Sequence, residues 1–287
     1  SDGWETSSPV VINSVSYNAE EGRISFKTPD TFINGNAIIA AYDASGNILW
    51  SWTIWALKDY DINAKTIPVG RHSLMDRNLG AIAGVESKDV SDYRVAAQAV
   101  GNYYQWGRKD PFQQAINVNH PTSTIMNTPF DSYASSQIGT LALSIVNPHT
   151  FYGGFRDGND ELLSDWAGPG ENNKDNYTPY YDWWCKGLTA SSAAPTTEND
   201  PLTAPINFTA AMKTMFDPCP PGYHVPALNV LFSFRGKTTA TLDSARNTGC
   251  LTVSDGTNTL YFPGSSQRSA GISPTRYLGI QLSGDLS

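Results

Sequence analysis

The stretch AIIAAYDASGNILWSWTIW, residues 37–55, decides how the chain begins to fold. Two apolar runs flank Ala44-Ser45-Gly46-Asn47, a cluster of turn formers, and that layout reads as a β-hairpin. Its second strand puts Trp50, Trp52 and Ile54 on one face and Leu49, Thr53 and Trp55 near the other. Strand aromatics ordinarily pack, so the three tryptophans are expected to be largely buried.

Toward the N-terminus the same habit continues. VVINSVSY (10–17) sets Val11, Asn13, Val15 and Tyr17 against Ile12, Ser14 and Ser16, and GRISFKT (22–28) repeats the alternation with Ile24 and Phe26. Glu21-Gly22 and Asn34-Gly35 mark the turns. Residues 1–48 therefore read as an N-terminal β-strand segment. Toward the C-terminus, an amphipathic helix is expected from Ser91-Asp92, with Val95, Ala96, Ala99, Tyr103 and Trp106 on one face and Gly107 as its stop. From Phe112 to about Asn207 the chain is rich in Ser, Thr, Asn, Gly, Pro and aromatic residues without regular periodicity, which predicts long surface loops. FTAAMKTMF leads into DPCPPGYHVP (217–226), a rigid turn; ALNVLFSF (227–234) reads as a short buried helix, and CLTVSDGTNTLYF (250–262) as a hairpin about Asp255-Gly256.

The chain has 287 residues, enough for one large domain or two modest ones. Charged residues supply 16% of it, where roughly 25% is usual, so the surface relies on uncharged polar groups, as suits an extracellular protein. A formal net charge of −8 argues against a groove that tracks phosphates and hence against nucleic acid as a partner. No apolar run approaches the length of a membrane-spanning helix.

Most catalytic and metal chemistry lacks its residues. His72, His120, His149, His224, Cys185, Cys219 and Cys250 form neither a CxxC pair nor an HExxH helix, so no metal site is expected. Asp157, Asn159, Asp160 and Glu161 do not follow the spacing of an EF-hand. A GxSxG elbow and the glycine-rich phosphate loops are missing, and Asp59 with Asp61 reads as a solvated turn rather than a glycosidase pair. No catalytic residues and no cofactor are expected. One constellation points to recognition: between Phe151 and Gly187, Trp166, Tyr177, Tyr180 and Tyr181 stand among Asn172, Asn173 and Asn176. Flat amphipathic rings among short hydrogen-bonding side chains offer contact area at low entropy cost, to sugars or to proteins. In the same stretch, Trp183 and Trp184 are expected to anchor the loop to the core.

Four motifs in order, ILWSWTIW (48–55), MDRNLGA (75–81), GNYYQWGRKDPF (101–112) and DPCPPGYHVP (217–226), resemble the Fibrobacter succinogenes major paralogous domain, which recurs in cell-surface and fimbrial tip proteins of the Bacteroidetes. The likeness spans roughly residues 36–268, and residues 9–48 resemble the strand-rich lead into that domain in fimbrial subunits. The resemblance implies an α+β, C-type lectin-like fold of two helices, small antiparallel sheets and a long loop region over 49–287. Whether 1–48 belong to it or end a pilin-like sandwich stays open. It further implies that Trp50, Trp52, Trp55, Arg77, Asn78, Tyr104, Trp106, Gly107, Arg108, Asp217, Pro218, Cys219, Gly222 and Pro226 are scaffold.

The chain departs from the family at Thr53, commonly His, and after TLYFPGSSQRSAG, where a Trp-Ser-Ser segment and a terminal Cys are not found, as if trimmed or diverged. The EPN, QPD and WND motifs of calcium-dependent animal lectins are absent as well. For an exported protein a Cys185–Cys219 bridge is favoured, since both flank the loop region, with one free thiol left over. The function implied is that of a non-enzymatic surface or pilus-tip adhesin, extracellular, binding a glycan or protein ligand through its loops. The alternatives are a carbohydrate-active or formylglycine-generating-like enzyme and a structural pilus subunit, which would bring other pilus subunits as partners.

Overall fold

The computed structural model describes residues 10–69, 72–87, 98–105, 107–112, 132–134, 140–148, 150–152, 213–226, 238–243 and 248–263. Within them the chain is α+β, made of small, mostly antiparallel sheets with short helical segments.

Strands β1 (Ser14–Asn18) and β2 (Arg23–Lys27) form the first hairpin. Asn18 Oδ1 accepts the backbone N–H of Glu20 at 3.0 Å, and Gly22 adopts φ +60°, so local groups close the turn. Strands β3 (Gly35–Tyr42) and β4 (Ile48–Ala56) form the second hairpin, as its sequence predicts. Asp43 organises the link: its carboxylate accepts from Ser45 N and Asn47 N, both at 2.8 Å, and its hydrogen bonds with Asn47 hold its pKa below the ordinary value.

The register pairs Ala37 with Ile54, Ile39 with Trp52 and Ala41 with Trp50, so one face carries the larger side chains expected of it. The burial differs from expectation. Trp52 is 38% exposed, Trp50 and Trp55 are half-buried, and the most buried residues of β4 are Ser51 and Ala56. Both faces of the hairpin are partly covered: Asn36, Ser51 and Trp55 on one face hydrogen-bond to Gly80, Asp110 and Ala81, while Ile39 and Ala56 on the face of Trp52 are buried and Trp50 there meets Phe216.

A second correction concerns the first helix. Residues 98–100 are helical, but the helix ends at Gly101, φ +75°, and not at Gly107. The stop is supplied from afar. Ile82 N donates to Gln98 O at 3.0 Å and Asn78 Nδ2 to Val100 O at 3.1 Å, so residues 78–82 satisfy terminal carbonyls that another turn of helix would have used, and Asn102 N in turn donates to Leu79 O at 2.8 Å. A Cβ at position 101 would run into the Leu79 carbonyl, so glycine is required there for space as well as for φ. Beyond it, Tyr103 and Phe112 exchange backbone hydrogen bonds of 3.0 and 2.8 Å, and Gly107 at φ +86° turns the loop between them.

The remaining elements frame this centre. β5 (Ile67–Val69) pairs with β6 (His72–Leu74), and β7 (Ser132–Ala134) runs parallel to β8 (Thr150–Tyr152). Helix α1 (Leu141–Val146) is capped by Thr140 Oγ1, which accepts from Leu143 N at 3.1 Å. The last sheet contains β9 (Thr238–Asp243), β10 (Thr248–Ser254) and β11 (Thr259–Pro263), with β10 central. The β10–β11 hairpin turns at Asp255-Gly256 as predicted, with Asp255 Oδ1 accepting from Thr257 N at 2.9 Å and Asn258 N at 2.8 Å. Val253 and Leu260 pack with Val69 into one apolar cluster, and Cys250 with Val85 and Ala99 into another, which joins the last sheet to β5 and to the end of the first helix. The helix expected at 227–234 lies outside the described residues.

Candidate functional site

Two of the signature stretches, ILWSWTIW and GNYYQWGRKDPF, meet in a buried polar hub. Lys109 Nζ donates to both carboxylate oxygens of Asp110 at 2.7 Å, to Ser51 Oγ at 2.6 Å and to Ser51 O at 2.9 Å, while Ser51 Oγ donates to Asp110 Oδ1 at 2.7 Å. The side chains of this ion pair are 8% and 2% exposed. Burial lowers the Lys109 pKa, and the Asp110 charge opposes that shift. The same ammonium lies 4.5 Å from the centroid of the Trp50 ring, within cation–π range, and Trp50 also meets Phe216 at 5.8 Å.

Beside it, Arg108 and Gln105 hold the chain where it leaves for the aromatic-polar stretch. Arg108 Nη1 donates to Thr150 O at 2.6 Å and to Gln105 Oε1 at 2.9 Å, Nη2 donates to Pro148 O at 2.9 Å, and Gln105 Nε2 donates to Tyr152 O at 2.7 Å. The guanidinium also stacks 4.7 Å from the Phe112 ring. A planar fork with several fixed donors suits a set of converging carbonyls, which a lysine would not satisfy.

The return of the chain is held as firmly. Asp217 accepts from Cys219 N at 2.8 Å, Val225 N at 3.1 Å and Lys213 Nζ at 2.8 Å, closing the proline-rich turn on itself. Tyr223 donates to Asn63 Oδ1 at 3.1 Å and so ties that turn to the segment before β5. A third cluster braces MDRNLGA. Arg77 pairs with Asp76 through Nε–Oδ1 and Nη2–Oδ2 bonds of 2.8 Å and lies 4.0 Å over the Tyr60 ring, whose hydroxyl donates to Asp76 Oδ1 at 2.7 Å. Burial and then the Asp76 interactions raise the Tyr60 pKa above the usual tyrosine range. Hydrogen bonds from Arg77 and Tyr60 lower that of Asp76 against its burial.

The recognition residues read from the sequence, Trp166, Asn172, Asn173, Asn176, Tyr177, Tyr180 and Tyr181, lie outside the described residues, as do Trp183, Trp184 and the acidic run at 157–161. The structure describes the frame on either side of them. Asp61 spends its carboxylate on the turn, accepting from Asn63 N at 2.9 Å. Among the described residues no cluster of His, Cys, Asp and Glu could hold a metal ion. Cys219 and Cys250 are free thiols, which corrects the expected Cys185–Cys219 bridge; the backbone around Cys219 is closed on Asp217, and its thiol is enclosed there. Burial and then the Asp217 charge push that thiol's pKa up, the reverse of what a thiolate nucleophile needs.

Sequence reasoning missed Lys109 and Asp110. Their signal was present: three consecutive charged residues, Arg108 to Asp110, in a chain poor in charge, wedged between Gly107 and Pro111. Thr53 lies on the same inward face as Ser51 and Trp55, and its Oγ1 is buried without a hydrogen-bond partner among the described residues, so a short hydroxyl leaves polar capacity unused where the resembling family commonly has His. No protein-family model, curated protein or solved structure matches the chain.

Proposed function

We propose that this chain is a non-enzymatic adhesin of the C-type lectin-like kind, displayed outside the cell at a surface or pilus tip and related to the Fibrobacter succinogenes major paralogous domain. It takes a glycan or protein ligand on the aromatic-polar stretch between Gln113 and Asn207. The observation that carries this reading is the double anchorage of that stretch. Residues 147–152, inside it and just ahead of the candidate rings, are clamped by Arg108 and Gln105, and the chain that follows it, at 213–217, by the Lys213–Asp217 pair and the Trp50–Phe216 contact. Long loops on a fixed frame are where binding residues concentrate. Contacts between signature stretches, Ser51 to Asp110 and Trp55 to Ala81, support the family likeness, and the elevated Cys219 thiol speaks against thiol chemistry there.

The test is binding of the purified chain to a glycan array and to immobilised matrix proteins, repeated with Tyr180→Ala and Tyr181→Ala. Loss of a hot-spot ring costs about 2 kcal/mol or more, roughly thirtyfold in affinity. Both variants should lose affinity on that scale while melting as the parent does. Unchanged binding, or simple unfolding, removes these tyrosines from the site.

A further inference from the structure

The hairpin of β1 and β2 stands at the surface on both faces. Every residue of β1 and four of the five in β2 are exposed. Val15 sits directly opposite Phe26, and Tyr17 opposite Ile24, so these four share a face, yet Val15, Tyr17 and Phe26 are 50%, 67% and 42% exposed. A lone two-stranded hairpin is marginal in water, and such a face normally belongs to a sheet of three or more strands.

The two edges of this hairpin differ. Strand β2 carries Arg23 and Lys27, charges of the kind that protect an edge from pairing. Strand β1, SVSYN, has no charge, no proline and no bulge, and among the described residues no strand pairs with its outer side. We propose that this edge pairs with β1 of a second copy, antiparallel, about a twofold axis through Ser16.

The register is self-complementary. Ser16 faces Ser16 of the second copy, Val15 faces its Tyr17, and Ser14 faces its Asn18. Outward N–H and C=O groups come from alternate residues, and a register centred on a residue matches equivalent positions, so donors meet acceptors. The apolar rows then run unbroken across four strands as Phe26, Val15, then Tyr17 and Ile24 of the second copy, and the same in reverse. Aromatic and β-branched residues become direct cross-strand neighbours, a favourable pairing. Charge agrees with this geometry. Glu20 and Glu21 at the turn of one copy lie at the sheet end that carries Lys27 of the other, and the hairpin itself, with Glu20, Glu21, Arg23 and Lys27, is balanced. This inference does not rest on the adhesin reading.

Sedimentation velocity of the whole chain across the micromolar range tests it. A concentration-dependent dimer is expected. Ser16→Lys sets like charges opposite each other on the axis and should raise the dissociation constant by about tenfold or more. Ser16→Cys should give a covalent dimer under mild oxidation. Ser25→Cys, on β2 and three strand spacings from its twin, roughly 14 Å, should not. Overturning results are a monomer at every concentration, a dimer indifferent to Ser16→Lys, open-ended polymers, equal cross-linking through Ser25→Cys, or a monomer whose β1 amides resist hydrogen exchange, which would mean that the same chain covers the edge.

Discussion

The β1–β2 and β3–β4 hairpins are built by the same rules and end in opposite surroundings. The first alternates apolar with polar positions and the second joins two apolar runs, yet both close through an Asn or Asp side chain and, among the described residues, both consist of two strands. The first is exposed at every strand position but Ile24, while the second is tied to the rest of the chain by Asn36 to Gly80, Trp55 to Ala81 and Ser51 to Asp110. Local turn chemistry thus makes a hairpin; groups far along the chain decide whether it is buried.

The hub that buries the second hairpin offers the largest way to break this contrast. Asp110→Ala leaves the buried Lys109 ammonium without its partner and should cost about 3–5 kcal/mol. Urea denaturation followed by tryptophan emission would measure it, and a loss under about 1 kcal/mol would show that the hub does not hold the hairpin. A finer comparison sets one residue of each hairpin side by side. Trp55→Phe removes the 3.1 Å bond to Ala81 O and should cost about 1 kcal/mol, whereas Tyr17→Thr, on the exposed strand, should stay within about 0.5 kcal/mol in the monomer. Equal losses would erase the distinction between the hairpins.

The smallest effect is a pH dependence from the Tyr60–Asp76–Arg77 cluster, which meets the second hairpin where Tyr60 packs against Trp55. The lowered Asp76 pKa contributes stability above the unfolded carboxyl value, about 3.9, and that contribution is lost as pH falls through the folded value. The raised Tyr60 pKa contributes stability that is fully present below the unfolded value, about 10, and is lost as pH rises through the folded one. Melting temperature against pH should therefore decline at both extremes, and Tyr60→Phe should remove the alkaline decline attributable to that hydroxyl. An identical alkaline profile in the variant would assign the decline elsewhere.

Local signals were legible in the sequence, and remote ones were not. The β3–β4 and β10–β11 turns could be read because Asp43 and Asp255 hydrogen-bond backbone within four residues of themselves. The end of the first helix could not, because Asn78 reaches its carbonyls from more than twenty residues away, and a plain periodicity count carried the helix through Tyr103 and Trp106. The exposure of Trp52 was equally hidden, since strand pattern assigns it a face but not how much of that face is covered at its position. The hub was hidden although Lys109 and Asp110, which hold it together, stand inside the motif GNYYQWGRKDPF, because their pairing with Ser51 carries no period and no spacing rule. For the recognition stretch, the sequence supplies the candidate rings and the structure the two anchored ends.

The pairing of Asn36 with Trp55 has a mechanical side. These residues stand opposite each other at the end of the second hairpin where β3 begins and β4 ends, and they donate to the consecutive carbonyls of Gly80 and Ala81. Tension applied to the chain ahead of Gly35 meets the hairpin at this end, in the direction that would unzip its rungs one after another. The first rungs in line are also the ones riveted to a neighbouring loop, so a tear has to start by pulling two strands off a third segment together. A tether fastened at its mouth resists peeling better than one fastened at its tip.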